Sequence, residues 1–435
     1  MTLEEIKKKK IGFVSLGCDK NRVDLEKMIF NLKSFGFEIE TKPSLANVII
    51  VNTCAFLESA RLEAIENIVE MGTYKSTGNL EKLIVTGCIN ELNYADLKDS
   101  LPEVDAFVNI KDNNRIVSLI LSLFGIENDD YCFDGRILTT PKHYSYLKIS
   151  DGCDNFCTYC LIPYIRGRFN SVPMEKLIEE AKNLAGQGVK ELILVAQDVT
   201  KYGIDIYKEK RLVQLLQNLS NIEGIEWIRL LYCYPEQIDD DLINEIKNNK
   251  KIVKYLDIPL QHVSTRILKS MNRRSTKESI FKLFDKLQHD IPNIILRTTF
   301  ILGFPGEKEE DVSDIIEFLN KFRLNNVGFF TYSREEGTRA YNFDDQIDED
   351  IKTERLETLS QIQFNLLSDI NDNLINSEFD VIIDGVNQFE SVGRFYGQAP
   401  DIDSVVYIDE ILETGKIYKV KLVEKLEYDF RGERI

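Results

Sequence analysis

Apolar and polar positions in the first hundred residues alternate in a strand, helix, strand rhythm. Ile11 to Leu16 is a short apolar run. Val23, Met28, Ile29, Leu32 and Phe35 then recur at helical spacing until Gly36 stops them. The pattern repeats with Val48 to Val51 followed by a helical segment from Ser59 to Met71, and again with Leu83 to Val85. Each apolar run ends in a cysteine: Ser-Leu-Gly-Cys at Cys18, Val-Asn-Thr-Cys at Cys54 and Val-Thr-Gly-Cys at Cys88. Spacings of 36 and 34 residues correspond to one strand-helix-strand unit apiece. Crossovers between parallel strands are right-handed and return the chain in one direction, so the three cysteine loops should open on one edge of a parallel, Rossmann- or flavodoxin-like sheet.

A second alternation runs from about Tyr144 to Tyr332. Strands are expected at Tyr146 to Ile149, Glu191 to Val195, Trp227 to Tyr232, Tyr255 to Ile258, Ile294 to Phe300 and Val327 to Thr331. Between the first two, Ser171 and Pro173 open a helix whose apolar face is Leu177, Ile178, Ala181, Leu184 and Ala185. Six such units make a partial (β/α)6 barrel, whose chemistry belongs at the carboxyl ends of its strands. Beyond Tyr332 a long helix from Ile351 to Ile375 leads to short strands at Glu378 to Ile383, Ser391 to Phe395, Val405 to Ile408 and Ile417 to Leu422. Their spacing suggests a small antiparallel barrel. The fold class is therefore α/β with a carboxyl-terminal β-barrel, divided as residues 9–125, 139–368 and 371–435.

Composition narrows the partners. The chain has 435 residues and a formal net charge of −18, which opposes a surface that grips phosphate backbones and would attract a basic partner. Residues 371–435 hold 14 acidic against 7 basic side chains, so the last module should repel nucleic acid. The first ten residues lack the apolar core of a signal peptide and no long apolar stretch follows, so a cytoplasmic protein without a membrane span is expected. Eight cysteines in such a compartment point to metal or redox chemistry instead of disulfides.

Cys153, Cys157 and Cys160 form a Cys-x3-Cys-x2-Cys loop just past the first predicted barrel strand. Three thiolates can hold three irons of a cubane cluster and leave the fourth open to a small molecule. A structural zinc would want a second pair nearby, and none lies there. Cys18, Cys54 and Cys88 taken singly read as small buried hydrophobes. In three equivalent positions they suggest a second cluster with its own open iron. Cys132 and Cys233 have no such partners and read as structural. Loops after other barrel strands carry Gln197, Gln261, Gly303 and Gly306, which could contact a bound cofactor. The glycines serve equally well as a turn, and His262 could carry a proton but reads more readily as a hydrogen-bonding scaffold group.

The cysteine loop, with Tyr159 before its last cysteine and Ile162-Pro163 and Arg166-Gly167 after it, resembles the signature of radical S-adenosylmethionine enzymes. The carboxyl-terminal barrel resembles a TRAM domain. The whole order is similar to the radical S-adenosylmethionine methylthiotransferases, one branch of which modifies tRNA adenosine and the other an aspartate of the twelfth small-subunit ribosomal protein. Ser15 to Asp24, Tyr332 to Thr338 and Gln398 to Asp403 look like the ribosomal-protein branch, with Asp19 where proline is frequent and Leu25 where serine is common. The resemblance implies two 4Fe-4S clusters, one on Cys153, Cys157 and Cys160 and one on Cys18, Cys54 and Cys88. It implies S-adenosylmethionine held near Tyr159, Gln197, Gln261, Gly303 and Gly306, and an electron donor such as a flavodoxin or ferredoxin. A deoxyadenosyl radical would take hydrogen from the aspartate β-carbon, and a methylated sulfur on the second cluster would replace it. The rival readings are a tRNA methylthiotransferase, a non-catalytic iron-sulfur carrier and a zinc-stabilised interaction protein.

Overall fold

The computed structural model describes residues 2–92, 99–126 and 131–435. Two compact units emerge, the first comprising 1–139 with 151–154 and 160–168, the second 140–150, 155–159 and 169–435.

In the first unit, strands β1 (Lys10–Ser15), β2 (Glu38–Ile39), β3 (Val48–Thr53), β4 (Lys82–Gly87) and β5 (Ala106–Val108) form one parallel sheet in the order β2-β1-β3-β4-β5. Every residue of β3 is buried, as a central parallel strand covered on both faces requires. Successive side chains point to opposite faces. Val48 and Ile50 accordingly pack with Leu25, Met28 and Leu32 of helix Asp19–Phe35 and with helix Ile116–Leu123. Ile49 and Val51 pack with Ala64, Ile68 and Met71 of helix Glu58–Gly72, and Leu161 and Ile165 join that same core. Gly36, at φ 110°, ends the first of these helices in the left-handed cap that its sequence position predicts. The returning segment 131–139 is tied to this helix: buried Glu26 accepts from Arg136 Nε at 2.7 Å and from Thr139 N at 2.7 Å.

The second unit holds a six-stranded parallel sheet. It begins with β6 (Tyr144–Lys148), after which the cysteine loop lies between the two-residue strands β7 (Ser150–Asp151) and β8 (Asn170–Ser171). β9 (Glu191–Val195), β10 (Trp227–Leu230), β11 (Ile252–Asp257), β12 (Ile295–Leu302) and β13 (Asn326–Thr331) follow in sequential order, which is the partial (β/α)6 arrangement. A 26-residue helix, Glu349–Leu374, packs along β12 and β13 and leads into the last barrel.

That barrel closes in the order β14 (Glu378–Val386), β15 (Ser391–Phe395), β16 (Val406–Ile408), β18 (Phe430–Arg434), β17 (Ile417–Lys425). The fifth strand, β18, is missing from the sequence expectation, because Phe430–Arg434 carries three charged residues and little apolar alternation. It also makes the barrel mixed instead of wholly antiparallel: β16 and β18 pair in parallel.

The base of the six-stranded sheet is joined to this barrel by buried ions. Glu191, at the start of β9, accepts from Arg229 Nε at 2.7 Å and from Arg394 Nη2 at 2.9 Å, and all three side chains are at most 1% exposed. Arg394 also binds Asp384, which meets His143 Nε2 at 2.7 Å. Burial opposes ionisation of Glu191, yet Arg394 and Arg229 outweigh it and hold the carboxyl below its usual range. Asp384 is held down in the same way by Arg394 and His143. The Gln398 to Asp403 segment completes the seam, with Asp403 accepting from Tyr255 Oη at 2.7 Å and from Ala399 N at 2.8 Å.

Candidate metal centres

The first unit gathers Cys18, Cys54 and Cys88, and strand register explains how. Ser15 is paired with Asn52 across β1 and β3, and Asn52 with Thr86 across β3 and β4. The three strands therefore end level, and each cysteine lies two or three residues past that row. The approach is close. A Cβ on Gly17, which has φ 105°, would stand 3.0 Å from Cys54 Cβ, and one on Gly87, φ 94°, would stand 2.4 Å from Thr53 O. Only glycine lets these turns bring the thiols inward.

Asn21, 1% exposed in the first turn of helix Asp19–Phe35, is the hub of the site. Its Nδ2 donates to Thr53 O at 2.8 Å and Leu16 O at 3.3 Å, which turns Oδ1 toward the sulfurs. Cys18 Sγ and Cys88 Sγ each stand 3.9 Å from that oxygen. Asn52 Nδ2 secures the hub from behind through Asn21 O at 2.8 Å. Burial pushes the Cys88 thiol up to about 11, against the pull of Arg166, and burial also raises Cys54. Cys18 pushes both further, and Cys54 does the same to Cys88. A group that accepts thiolates and offsets their charge fits such a set. Among the described residues no three His, Cys, Asp or Glu side chains converge on the position of a single metal ion. A cubane instead takes each thiolate at a separate iron.

Arg166 reaches the same place. Its Nη1 meets Asp24 Oδ2 at 3.1 Å and Asp151 Oδ2 at 3.0 Å, while Nη2 donates to Asn21 Oδ1 and approaches Cys88 Sγ at 3.9 Å. The side chain is 2% exposed, and although burial disfavours its charge, Asp24 and Asp151 hold it firmly protonated. Sequence reading places Arg166 only within a motif and gives it no task; its partners lie up to 145 residues away along the chain.

The cysteine loop is anchored at each of its three cysteines. Cys153 N donates to Gly167 O at 3.1 Å, and Cys160 Sγ accepts from Ile162 N at 3.4 Å, the kind of N–H contact that supports a cluster thiolate. Cys157 is buried, with its Sγ 3.6 Å from Tyr234 Oη. The loop's 155–159 part is fixed within the second unit. Asn272 Nδ2 donates to Asn155 O and Phe156 O at 3.1 and 3.0 Å, Thr158 N to Met271 O at 3.0 Å, and Asn155 Nδ2 to buried Asp198 at 3.3 Å. Arg273, another residue that sequence reading leaves out, lies buried with its guanidinium 4.5 Å from the Tyr234 ring; burial opposes its charge, which Tyr159, Tyr234 and Cys157 favour.

The remaining candidates all sit past strand ends in the second unit. Gln197 follows β9. Gln261, at φ 69° and after β11, exchanges backbone hydrogen bonds with Thr299 and Ile301 of β12 and donates from Nε2 to Thr299 Oγ1 at 3.2 Å. Gly303 directly follows β12 at φ 71°, and a Cβ there would stand 2.2 Å from Lys352 Cγ. Its N–H is capped by Glu307 Oε1 at 2.9 Å. Gly306, φ 78°, donates to Asp345 O at 2.7 Å. Tyr159 packs on the apolar cluster of Ile267, Met271, Phe304, Tyr332 and Ala340. His262 is fully buried, accepts from Val263 N and Ser264 N through Nδ1, and faces Glu307 at 3.3 Å. Cys233 is buried, and Cys132 is exposed.

Three family models match in succession: an uncharacterized protein family, UPF0004, over residues 10–109, the radical SAM superfamily over 147–319, and the TRAM domain over 375–435. Among curated proteins, the ribosomal protein uS12 methylthiotransferase RimO of Clostridium botulinum (strain Eklund 17B / Type B) is 48% identical, over 98% of this chain and 98% of its own length. That of Acetivibrio thermocellus is 47% identical over 98% and 99%. Among solved structures, the radical S-adenosylmethionine methyltransferase TsrM of Kitasatospora setae superposes with a TM-score of 0.54 at 14% identity, over 74% of this chain and 73% of that one, which bears on the fold alone. With relatives this similar along the whole chain, and with the strand ends and cysteine loop arranged as described, the chain belongs to the ribosomal protein uS12 methylthiotransferases, S-adenosylmethionine-dependent radical enzymes that carry a TRAM domain.

Proposed function

We propose that this chain replaces one β-hydrogen of an aspartate in ribosomal protein uS12 by a methylthio group, using two 4Fe-4S clusters and S-adenosylmethionine. The observation that carries the reading is the gathering of Cys18, Cys54 and Cys88 at one sheet edge, in a chain that also carries the Cys153, Cys157 and Cys160 loop. When bound, the clusters and S-adenosylmethionine supply the electron, the hydrogen-abstracting radical and the methylated sulfur. The residues of the chain hold and shield them. Cys153, Cys157 and Cys160 would ligate the cluster that meets S-adenosylmethionine, with Tyr159, Gln197, Gln261, Gly303 and Gly306 around the nucleoside and methionyl groups. Cys18, Cys54 and Cys88 would ligate the sulfur-bearing cluster. The electron would come from a flavodoxin or ferredoxin.

Residues 9–125 are assigned to sulfur handling, 139–368 to radical generation and 371–435 to the basic partner. A protein substrate is favoured over tRNA by the 14 acidic against 7 basic residues of the last module and by Arg394, which is turned inward to Glu191 and Asp384 instead of outward to phosphate. No helix among the described residues is long and apolar enough to cross a membrane. The test is mass spectrometry of uS12 and of tRNA after anaerobic reaction with reductant and S-adenosylmethionine. A methylthio group on one aspartate is expected, and modification of tRNA alone would refute the reading.

A further inference from the structure

We infer that Arg166 is a positioning residue of the Cys18, Cys54 and Cys88 site, donating a charge-assisted N–H to the Cys88 sulfur and raising the reduction potential of the cluster held there. The inference rests on reading those cysteines as a cluster site. It begins with an imbalance at Asn21. Oδ1 can accept S–H bonds from the Cys18 and Cys88 thiols, each 3.9 Å away, but an amide oxygen gives nothing to a thiolate. Once the sulfurs deprotonate to ligate iron, the oxygen that satisfied them repels them.

The Arg166 Nη2 group resolves this. It reaches both Asn21 Oδ1, withdrawing that oxygen's lone pair from the sulfurs, and Cys88 Sγ at 3.9 Å. The two carboxylates on Nη1, Asp24 at 3.1 Å and Asp151 at 3.0 Å, fix the guanidinium plane and compensate its burial. A single rigid fork thus has one end on carboxylates and the other at the thiol cluster, in a place where its charge is little screened by water. Cluster potentials rise with hydrogen bonds to sulfur and with nearby positive charge, because the added electron is then better stabilised. Arg166 also lies six residues after Cys160, so the same stretch of chain that supplies the last ligand of the radical loop supplies this cation.

The experiment isolates the site in the full-length chain by replacing Cys153, Cys157 and Cys160 with alanine, reconstituting with iron and sulfide, and titrating the remaining cluster by electron paramagnetic resonance. Arg166→Gln should keep the fold by circular dichroism and shift the midpoint to a more negative potential, while Arg166→Lys, which restores charge without the fork, should recover part of the shift. A midpoint unchanged in Arg166→Gln overturns the inference. So does equal loss of cluster from the Gln and Lys variants with the fold intact, since charge would then be irrelevant. Failure of the Arg166-intact chain to bind any cluster at Cys18, Cys54 and Cys88 would instead sink the underlying site assignment.

Discussion

Single residues decide whether the amino-terminal thiols can meet. Gly87 sits at φ 94° with no room beside Thr53 O, so Gly87→Ala combines a left-handed conformation unfavourable to an L-residue with a backbone clash. A loss of about 1–3 kcal/mol is expected in denaturant unfolding, together with less iron at that site. Cys18 tests the division of labour differently. It is exposed, at the cap of helix Asp19–Phe35, where removing a sulfur disturbs little packing. Cys18→Ala should abolish methylthio product while 5′-deoxyadenosine is still formed. Loss of both with the Cys153, Cys157 and Cys160 cluster still detectable by spectroscopy would contradict the assignment. Asn21 and Arg166 show what single-residue reading misses: an asparagine and an arginine have no spacing signature, and their task exists only where strand ends bring the sulfurs to them.

At the scale of elements, register does most of the work. Level endings of β1, β3 and β4 turn a 36- and 34-residue periodicity into a three-thiol site. Buried ions do the corresponding work at the seam between the six-stranded sheet and the last barrel. Glu191→Gln would leave Arg229 buried without its carboxylate and Arg394 with Asp384 alone, a loss of about 3–5 kcal/mol by analogy with other broken buried pairs. The seam also predicts an acid limb. Glu191 and Asp384 are held below the ordinary carboxylate range in the fold. Their contribution to stability is therefore complete above the unfolded carboxylate value of about 4 and is lost as pH falls through the depressed folded values. Melting temperature followed from neutral pH downward should drop in that window, and the drop should be shallower in Asp384→Asn.

For the whole molecule, charge is the broadest determinant. A net of −18, with 14 acidic residues in the last module, favours encounter with a basic protein, and screening weakens that attraction over about 8–10 Å at moderate salt. The apparent KM for uS12 should therefore rise with ionic strength while the S-adenosylmethionine requirement changes little. A salt-independent KM would argue that the acidic module takes no part in docking. The relatives matched along nearly the whole chain carry the name of the same reaction, and the domain order follows that of the matched family models.

The sequence by itself determined the parallel sheets, the strand-end position of Cys18, Cys54 and Cys88 and the acidity of the last module, because hydrophobic period, spacing and charge are local properties that survive any packing. Only the tertiary structure decided the rest. Strand β18, polar and short, is recruited by barrel closure and paired in parallel with β16, a contact that no local pattern encodes. Gly303, open to two readings from sequence, acquires a packing reason in Lys352. Glu191 meets Arg394 across 203 residues, and Arg166 meets Asp24 across 142. Such pairs form because buried charges must find partners once folding removes water, and which partner is near is fixed by the fold.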